Sequence, residues 1–221
     1  MPDQIASSIN AALSDIQVRI FRACESVNRD PAKVTLVAVS KNFSVDHINR
    51  AYDLGHRHFG ESKWQELETK VHQLPKDINW HFIGKLQSNK AKRVAELVNT
   101  IHTIESERQL KEIAKQDRTI DGFIQVNIAS EQQKSGILMQ DLDKVLLNVL
   151  KCNQVRFRGL MTIGPEVSDP EESRNYFREL AMLNRKIGGT HLSMGMSGDF
   201  EVAIQEGATH IRVGSAIFGN R

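Results

Sequence analysis

Residues 5–23 carry Ile5, Ile9, Ala12, Leu13, Ile16 and Ile20 at the three-and-four spacing of one helical face, so an amphipathic helix precedes any strand. A second pattern then takes over. Val34-Thr-Leu-Val-Ala-Val-Ser-Lys41 is a β-branched apolar run bounded by Pro31. The helix after it starts near Ser44, a side chain suited to capping, and stops at Gly55. The pair recurs along the rest of the chain. Short apolar runs predict strands at His58–Gly60, Ile78–Gly84, Ile101–Ile104, Phe123–Ile128, Val155–Ile163, His191–Met194 and Ile211–Val213. Helical spacing predicts helices through Trp64, Leu67 and Val71, then over Asn89–Val98, Ser106–Gln116, Asp141–Lys151, Asp169–Ile187 and Asp199–Glu206.

Strand–helix alternation with short connections implies a parallel sheet. Eight such units in 221 residues fit a closed α/β (TIM, (β/α)8) barrel better than an open doubly wound sheet. No linker or low-complexity tract interrupts the pattern, so one domain is expected over residues 1–221. The last unit has room for only a short helix, and the N-terminal helix is expected to pack near it.

Composition narrows the function classes. With 29 basic and 27 acidic residues the net charge is +2, which makes no electrostatic case for nucleic acid or a membrane surface. No run of apolar residues is long enough to span a bilayer, and the first residues lack the pattern of a signal peptide. Cys24 and Cys152 are far apart, and no His/Cys spacing suggests a metal. A monomer in a reducing cytoplasm is the expectation.

In such barrels the chemistry sits at the C-terminal ends of the strands. Lys41 ends the first strand, on the side shared with Thr35, Val37 and Val39. If that side is the interior, desolvation lowers the amine's pKa and equips it to attack an aldehyde. The other reading is a lysine that extends its tip to solvent. His191-Leu-Ser-Met-Gly-Met-Ser-Gly-Asp-Phe200 runs from a strand through small residues into a helix start. Ile211-Arg-Val-Gly-Ser-Ala-Ile-Phe-Gly219 repeats the design on the next strand. Backbone N–H groups at such turns bind anions, and barrels of this class commonly take phosphate between their last two loops. Arg212 lies inside the eighth strand, where its charge needs partners; an ion pair with an acidic neighbour is the structural alternative to a ligand role.

Those stretches resemble the pyridoxal phosphate homeostasis family, also called proline synthase co-transcribed proteins. The resemblance covers essentially the whole chain through Val37-Ala-Val-Ser-Lys41, Phe59-Gly-Glu61, Trp80-His-Phe-Ile-Gly84, Leu86-Gln87, Asn89-Lys90, Leu160-Met-Thr162, Leu192 to Glu201 and Arg212 to Gly219. It implies the fold of the alanine racemase N-terminal domain, and pyridoxal 5′-phosphate held as a Schiff base on Lys41. It further implies that Ser197, Gly214 and Ser215 grip the phosphate, that Met194 and Gly195 line that loop, and that Arg212 faces the pyridine nitrogen. A cation there disfavours protonation of the ring and weakens it as an electron sink. The family's usual asparagine after Gly-Glu is Ser62 here, which cannot reproduce an amide's paired donor and acceptor.

A racemase of this fold needs a second base, typically tyrosine, on the other face of the cofactor. Tyr52 and Tyr176 both fall in predicted helices, and neither His81, in mid-strand, nor His191, at a strand start, is an obvious substitute. The expectation is therefore a non-catalytic cofactor carrier whose partners are pyridoxal phosphate and the apo-enzymes that receive it. A racemase-like enzyme and a Schiff-base aldolase acting on sugar phosphates are the alternatives.

Overall fold

The computed structural model describes residues 2–129, 131 and 133–219, with side chains from residue 7 onward, so the Ile5 side chain lies outside the described residues. After helix α1 (Pro2–Glu25) the chain runs β1 (Thr35–Val39), α2 (Val45–Asp53), β2 (His58–Glu61), α3 (Trp64–Val71), β3 (Asn79–Phe82) and α4 (Ser88–Leu97). It continues through β4 (Thr100–Ile104), α5 (Glu107–Ile113), β5 (Ile120–Gln125), α6 (Leu142–Leu150) and β6 (Val155–Met161). The last elements are α7 (Arg174–Lys186), β7 (His191–Ser193), α8 (Phe200–Gln205), β8 (His210–Val213) and α9 (Ser215–Phe218). The strands pair in parallel in chain order, and β8 pairs back onto β1 to close the barrel. The expected (β/α)8 fold with its extra N-terminal helix is the one formed.

Alternation on β1 assigns its faces. Leu36 and Ala38 join Ile16, Ile20 and Ile48 in the apolar layer between sheet and helices. Val37 and Val39 point inward; a side chain grown on Gly60 would touch Val37. The last helix, α9, is a single turn, and α1 packs on α2, α8 and α9 to cover that stretch of sheet. Two arginines anchor this cover. Arg19 forks onto Glu201 at 2.7 and 3.0 Å, while Arg29 donates to the carbonyls of Ile204 and Ala208 at 2.6 Å each.

Several boundaries differ from expectation: β1 ends at Val39, so Lys41 lies beyond the strand rather than at its end, β6 stops at Met161, and two further shifts have local reasons. β5 starts at Ile120 and ends at Gln125; Val126 still donates to the Met161 carbonyl of β6 but bridges Ile137 on its other side, and Asn127 then bonds the carbonyls of Glu131 and Lys134. Asn127 therefore lies in the loop rather than at a strand end. Helix α7 starts at Arg174, since Pro170 initiates a tighter single turn over Pro170–Ser173.

The barrel's filling is unusual. Barrels of this class normally pack Val, Ile and Leu inside. Here His58, His81, His102, His191 and His210 occupy the interior with Phe123, which stacks on His102 at 4.8 Å and meets His210 edge-on at 5.2 Å. No helix among the described residues is long and apolar enough to cross a membrane.

Candidate functional site

A cavity of about 320 Å³ opens at the C-terminal ends of the strands. Val39 and Lys41 form one wall, Ser62 and Ile83 a second, and Ile163, Met196, Ser197 and Gly198 a third. Arg212, Gly214 and Ser215 complete it. Lys41, Ser62, Ser197, Arg212, Gly214 and Ser215 thus converge on one space from strands that are far apart in sequence. Met194 and Gly195 do not line it. Met194 is fully buried in the apolar layer, and Gly195, at φ 90°, accepts from the Arg212 backbone N–H through its carbonyl at 3.0 Å. Met196, which lies in the same glycine-serine loop but was given no role of its own, lines the cavity in their place.

The two serine loops are tied together. Gly214 N–H donates to Ser197 Oγ at 3.4 Å, and Ser215 Oγ donates to Ser197 Oγ at 3.2 Å. This arrangement leaves two hydroxyls and a backbone amide at one corner of the cavity, a set of donors suited to an anion.

Arg212 is 4% exposed. Its Nη1 donates to Ser193 Oγ at 2.7 Å and its Nη2 to the Thr162 carbonyl at 2.8 Å. Burial lowers its pKa to about 10, with Asp199 acting in the opposite direction, so it stays charged at neutral pH. Its hydrogen-bond partners are neutral oxygens, and the expected alternative of a direct ion pair does not form among the described residues. A buried cation bonded to neutral groups beside an open cavity has unspent charge to offer a ligand.

Lys41, partly buried, sits in a turn whose backbone is clamped on both sides. Ser40 C=O accepts from Lys70 Nζ at 2.8 Å, and Asn42 N–H donates to Glu66 Oε1 at 2.6 Å. Asn42 takes φ 65°, a left-handed conformation that asparagine tolerates. Lys70 also pairs with Glu61 at 2.7 Å and Glu66 at 2.6 Å, and Ser40 Oγ donates to Glu61 Oε1 at 2.6 Å. Burial pushes the Glu61 carboxyl up, and Lys70 offsets this only in part. Sequence reasoning missed Lys70 entirely. On α3 the Glu66–Lys70 pair has the spacing of an ordinary surface ion pair, and only the way α3 lies over the ends of β1 and β2 buries it.

The Ser62 wall depends on one glycine. A Cβ at Gly84 would fall 1.9 Å from the Ser62 carbonyl oxygen, so β3 and the loop after β2 can approach this closely only with hydrogen there. Gly84→Ala is expected to push the Ser62 backbone away, lowering stability by about 1–3 kcal/mol and widening that side of the cavity. Urea titration of the variant beside the parent checks this; an unchanged midpoint would contradict the contact.

Tyr52 donates to Asp77 from α2 and Tyr176 lies on α7, so neither reaches the cavity. The interior histidines lie deeper in the barrel than its lining.

The family model for the N-terminal domain of alanine racemase matches residues 19–221. A curated relative from Aquifex aeolicus, the pyridoxal phosphate homeostasis protein, is 38% identical over 95% of this chain and 96% of its own. The chain belongs to that family. PipY of Synechococcus elongatus, solved with PLP bound, is 35% identical, with TM-score 0.78 over 91% of this chain and 100% of its own. Alanine racemase from Corynebacterium glutamicum, at 16% identity, shares the fold with TM-score 0.72 over all of this chain and 61% of its own.

Proposed function

We propose that this protein holds pyridoxal 5′-phosphate on Lys41 and buffers or delivers it within the cytoplasm, without catalysing a reaction of its own. In this reading residues 1–221 act as one domain and one monomer, with apo-enzymes as recipients and no nucleic-acid or membrane partner. The observation that carries it is the convergence of an amine, a two-hydroxyl anion corner and a buried cation with neutral partners on a single cavity. The amine matches an aldehyde, the anion corner matches a phosphate, and the cation matches a ring nitrogen. The names of the relatives, and the PLP bound to PipY, support the same reading.

The roles in this reading are those the family resemblance implies, and the cavity lining is compatible with them. Lys41 supplies the amine that captures the aldehyde, and the clamp on Ser40 and Asn42 holds its backbone at the cavity wall. Ser197, Gly214 and Ser215 take the phosphate, while Met194 and Gly195 pack behind that loop and set its path. Ser62 contributes a short polar wall where the family usually has an asparagine. Arg212 would face the pyridine nitrogen, where its charge would disfavour protonation of the ring. When bound, the group supplies an electrophilic carbonyl and an electron-withdrawing ring, and Arg212 weakens the second of these. A tyrosine positioned to move a proton on the opposite face is missing from the described cavity, which favours a carrier over a racemase-like enzyme.

Lys41→Ala is expected to abolish the borohydride-reducible band near ~420 nm that the parent shows after incubation with pyridoxal phosphate, while its thermal unfolding stays cooperative. A band that persists in the variant, with the reduced adduct mapped to another lysine, would refute Lys41 as the anchor. Deuterium exchange at the α-carbon of amino acids at about 1 per second or faster would instead make it an enzyme.

A further inference from the structure

One line of hydrogen bonds crosses the barrel interior from the N-terminal ends of the strands to Arg212. His58 Nδ1, at the start of β2, lies 3.0 Å from His81 Nε2 on β3. His81 Nδ1 lies 2.9 Å from His102 Nε2 on β4, and His102 Nδ1 lies 2.7 Å from Ser193 Oγ at the end of β7. That hydroxyl is the one that accepts from Arg212. Every link joins side chains from different strands, so the line is built by the closure of the barrel.

The direction of the line follows from what each group can do. A guanidinium only donates, so Ser193 must accept from it. Ser193 is fully buried, and among the described residues the acceptor left for its hydroxyl proton is His102 Nδ1. Were His102 to donate from Nδ1 instead, the Ser193 proton would be left buried without an acceptor. With Nδ1 accepting, a neutral His102 carries its proton on Nε2 and donates to His81 Nδ1. The same constraint passes to His81, which donates from Nε2 to His58 Nδ1, and leaves His58 protonated on Nε2. Charging either inner ring would place two donors face to face at one of these links.

We infer that Arg212 imposes a single polarity on this line, with His102, His81 and His58 all as Nε2–H tautomers, and that the line in turn positions the Arg212 guanidinium at the cavity. His102 and His81 are then positioning residues acting through Ser193. Burial drives the pKa of both rings well below the ordinary histidine value, with neighbouring His210 and, for His102, Arg212 adding to the effect. Neutral rings are what the polarity requires. The link to ligand binding rests on the pyridoxal phosphate reading; the tautomers do not.

Two measurements separate these parts. Long-range ¹H–¹⁵N correlation spectra of the ligand-free protein at pH 7, assigned with His81→Gln and His102→Gln, are expected to show both rings as neutral Nε2–H tautomers. An Nδ1–H tautomer or an imidazolium at either ring overturns the polarity. His102→Phe should keep the stack on Phe123 but break the line, weakening pyridoxal phosphate binding about tenfold. In His102→Gln the amide oxygen can accept from Ser193 and the amide nitrogen can donate to His81, so affinity should recover to within about threefold of the parent. Parental affinity in the Phe variant, or no recovery in the Gln variant, overturns the positioning role. If the parent itself takes up no pyridoxal phosphate, the functional reading fails while the tautomer spectra still decide the polarity.

Discussion

Acidification should begin to destabilise this protein near pH 6.5, above the pH at which its carboxylates are neutralised. The unfolded chain presents histidines with the ordinary value near 6.5. In the fold His56 is lowered to about 4 and His210 to about 3, both chiefly by burial. His58, His81, His102 and His191 are lowered as well, again with burial first. The charges around them reinforce the trend: Arg158 and Arg212 near His210, and Arg158 and Arg156 near His191, where Asp121 alone opposes. A group with a depressed folded value keeps the native state deprotonated while the unfolded chain binds protons. Stability is therefore full above about pH 6.5 and falls as pH drops toward the folded values, by about 1.4 kcal/mol per pH unit for each such histidine. Two of them already remove about 2.7 kcal/mol per unit, against a typical total of 5–15. Urea titrations from pH 7.5 to 4 should show stability declining from near pH 6.5 and lost by about pH 4–5. Equal stability at pH 7 and pH 5 would rule out a neutral imidazole core. His210→Phe, which keeps an aromatic ring against Phe123, should flatten the slope by about one proton.

The alternation that announces this barrel is legible because each strand of a covered parallel sheet is apolar on both faces and each helix on one. Val34–Val39 and the spacing of α1 carry that signal strongly. It fails where burial and strand continuation diverge: Val126 and Ile128 are buried and β-branched, yet they follow the end of β5, where Val126 forms an isolated bridge with Ile137. At the site, Lys41, Arg212 and the serine loops stand out because a polar group ending an apolar strand is conspicuous along the chain. The histidine line does not stand out in the same way. Alternation points His58, His81 and His102 inward one strand at a time, but their meeting depends on the register between β2, β3 and β4 and on Ser193, which follows His102 by 91 positions. Lys70 is hidden for a related reason, since its helix face looks solvent-exposed until the tertiary packing of α3 is known.

The largest single-residue effect beneath the cavity is expected at Lys70. Its side chain is 6% exposed and that of Glu61 0%, so Lys70→Met leaves a carboxylate buried without its cation. Such removal of one partner typically destabilises by about 3–5 kcal/mol. The residual Glu61 would rise further in pKa and take up a proton, making the variant less unstable at pH 5.5 than at pH 8 relative to the parent. The sign is that of a carboxyl whose folded value is raised: its unfavourable charge appears as pH increases through that value. Lys70→Met with Glu61→Gln removes the orphaned charge and should recover most of the loss, since a neutral amide can still accept from Ser40 Oγ. Binding is expected to separate from stability in this pair. Ser40 C=O and Glu66 both lose Lys70, so the turn carrying Lys41 is held less firmly in the double variant too. Chemical denaturation should thus report near-parental stability for the double variant, while its uptake of pyridoxal phosphate stays about tenfold weaker. Full recovery of both would mean that Lys70 serves only to neutralise Glu61 and does nothing to position Lys41.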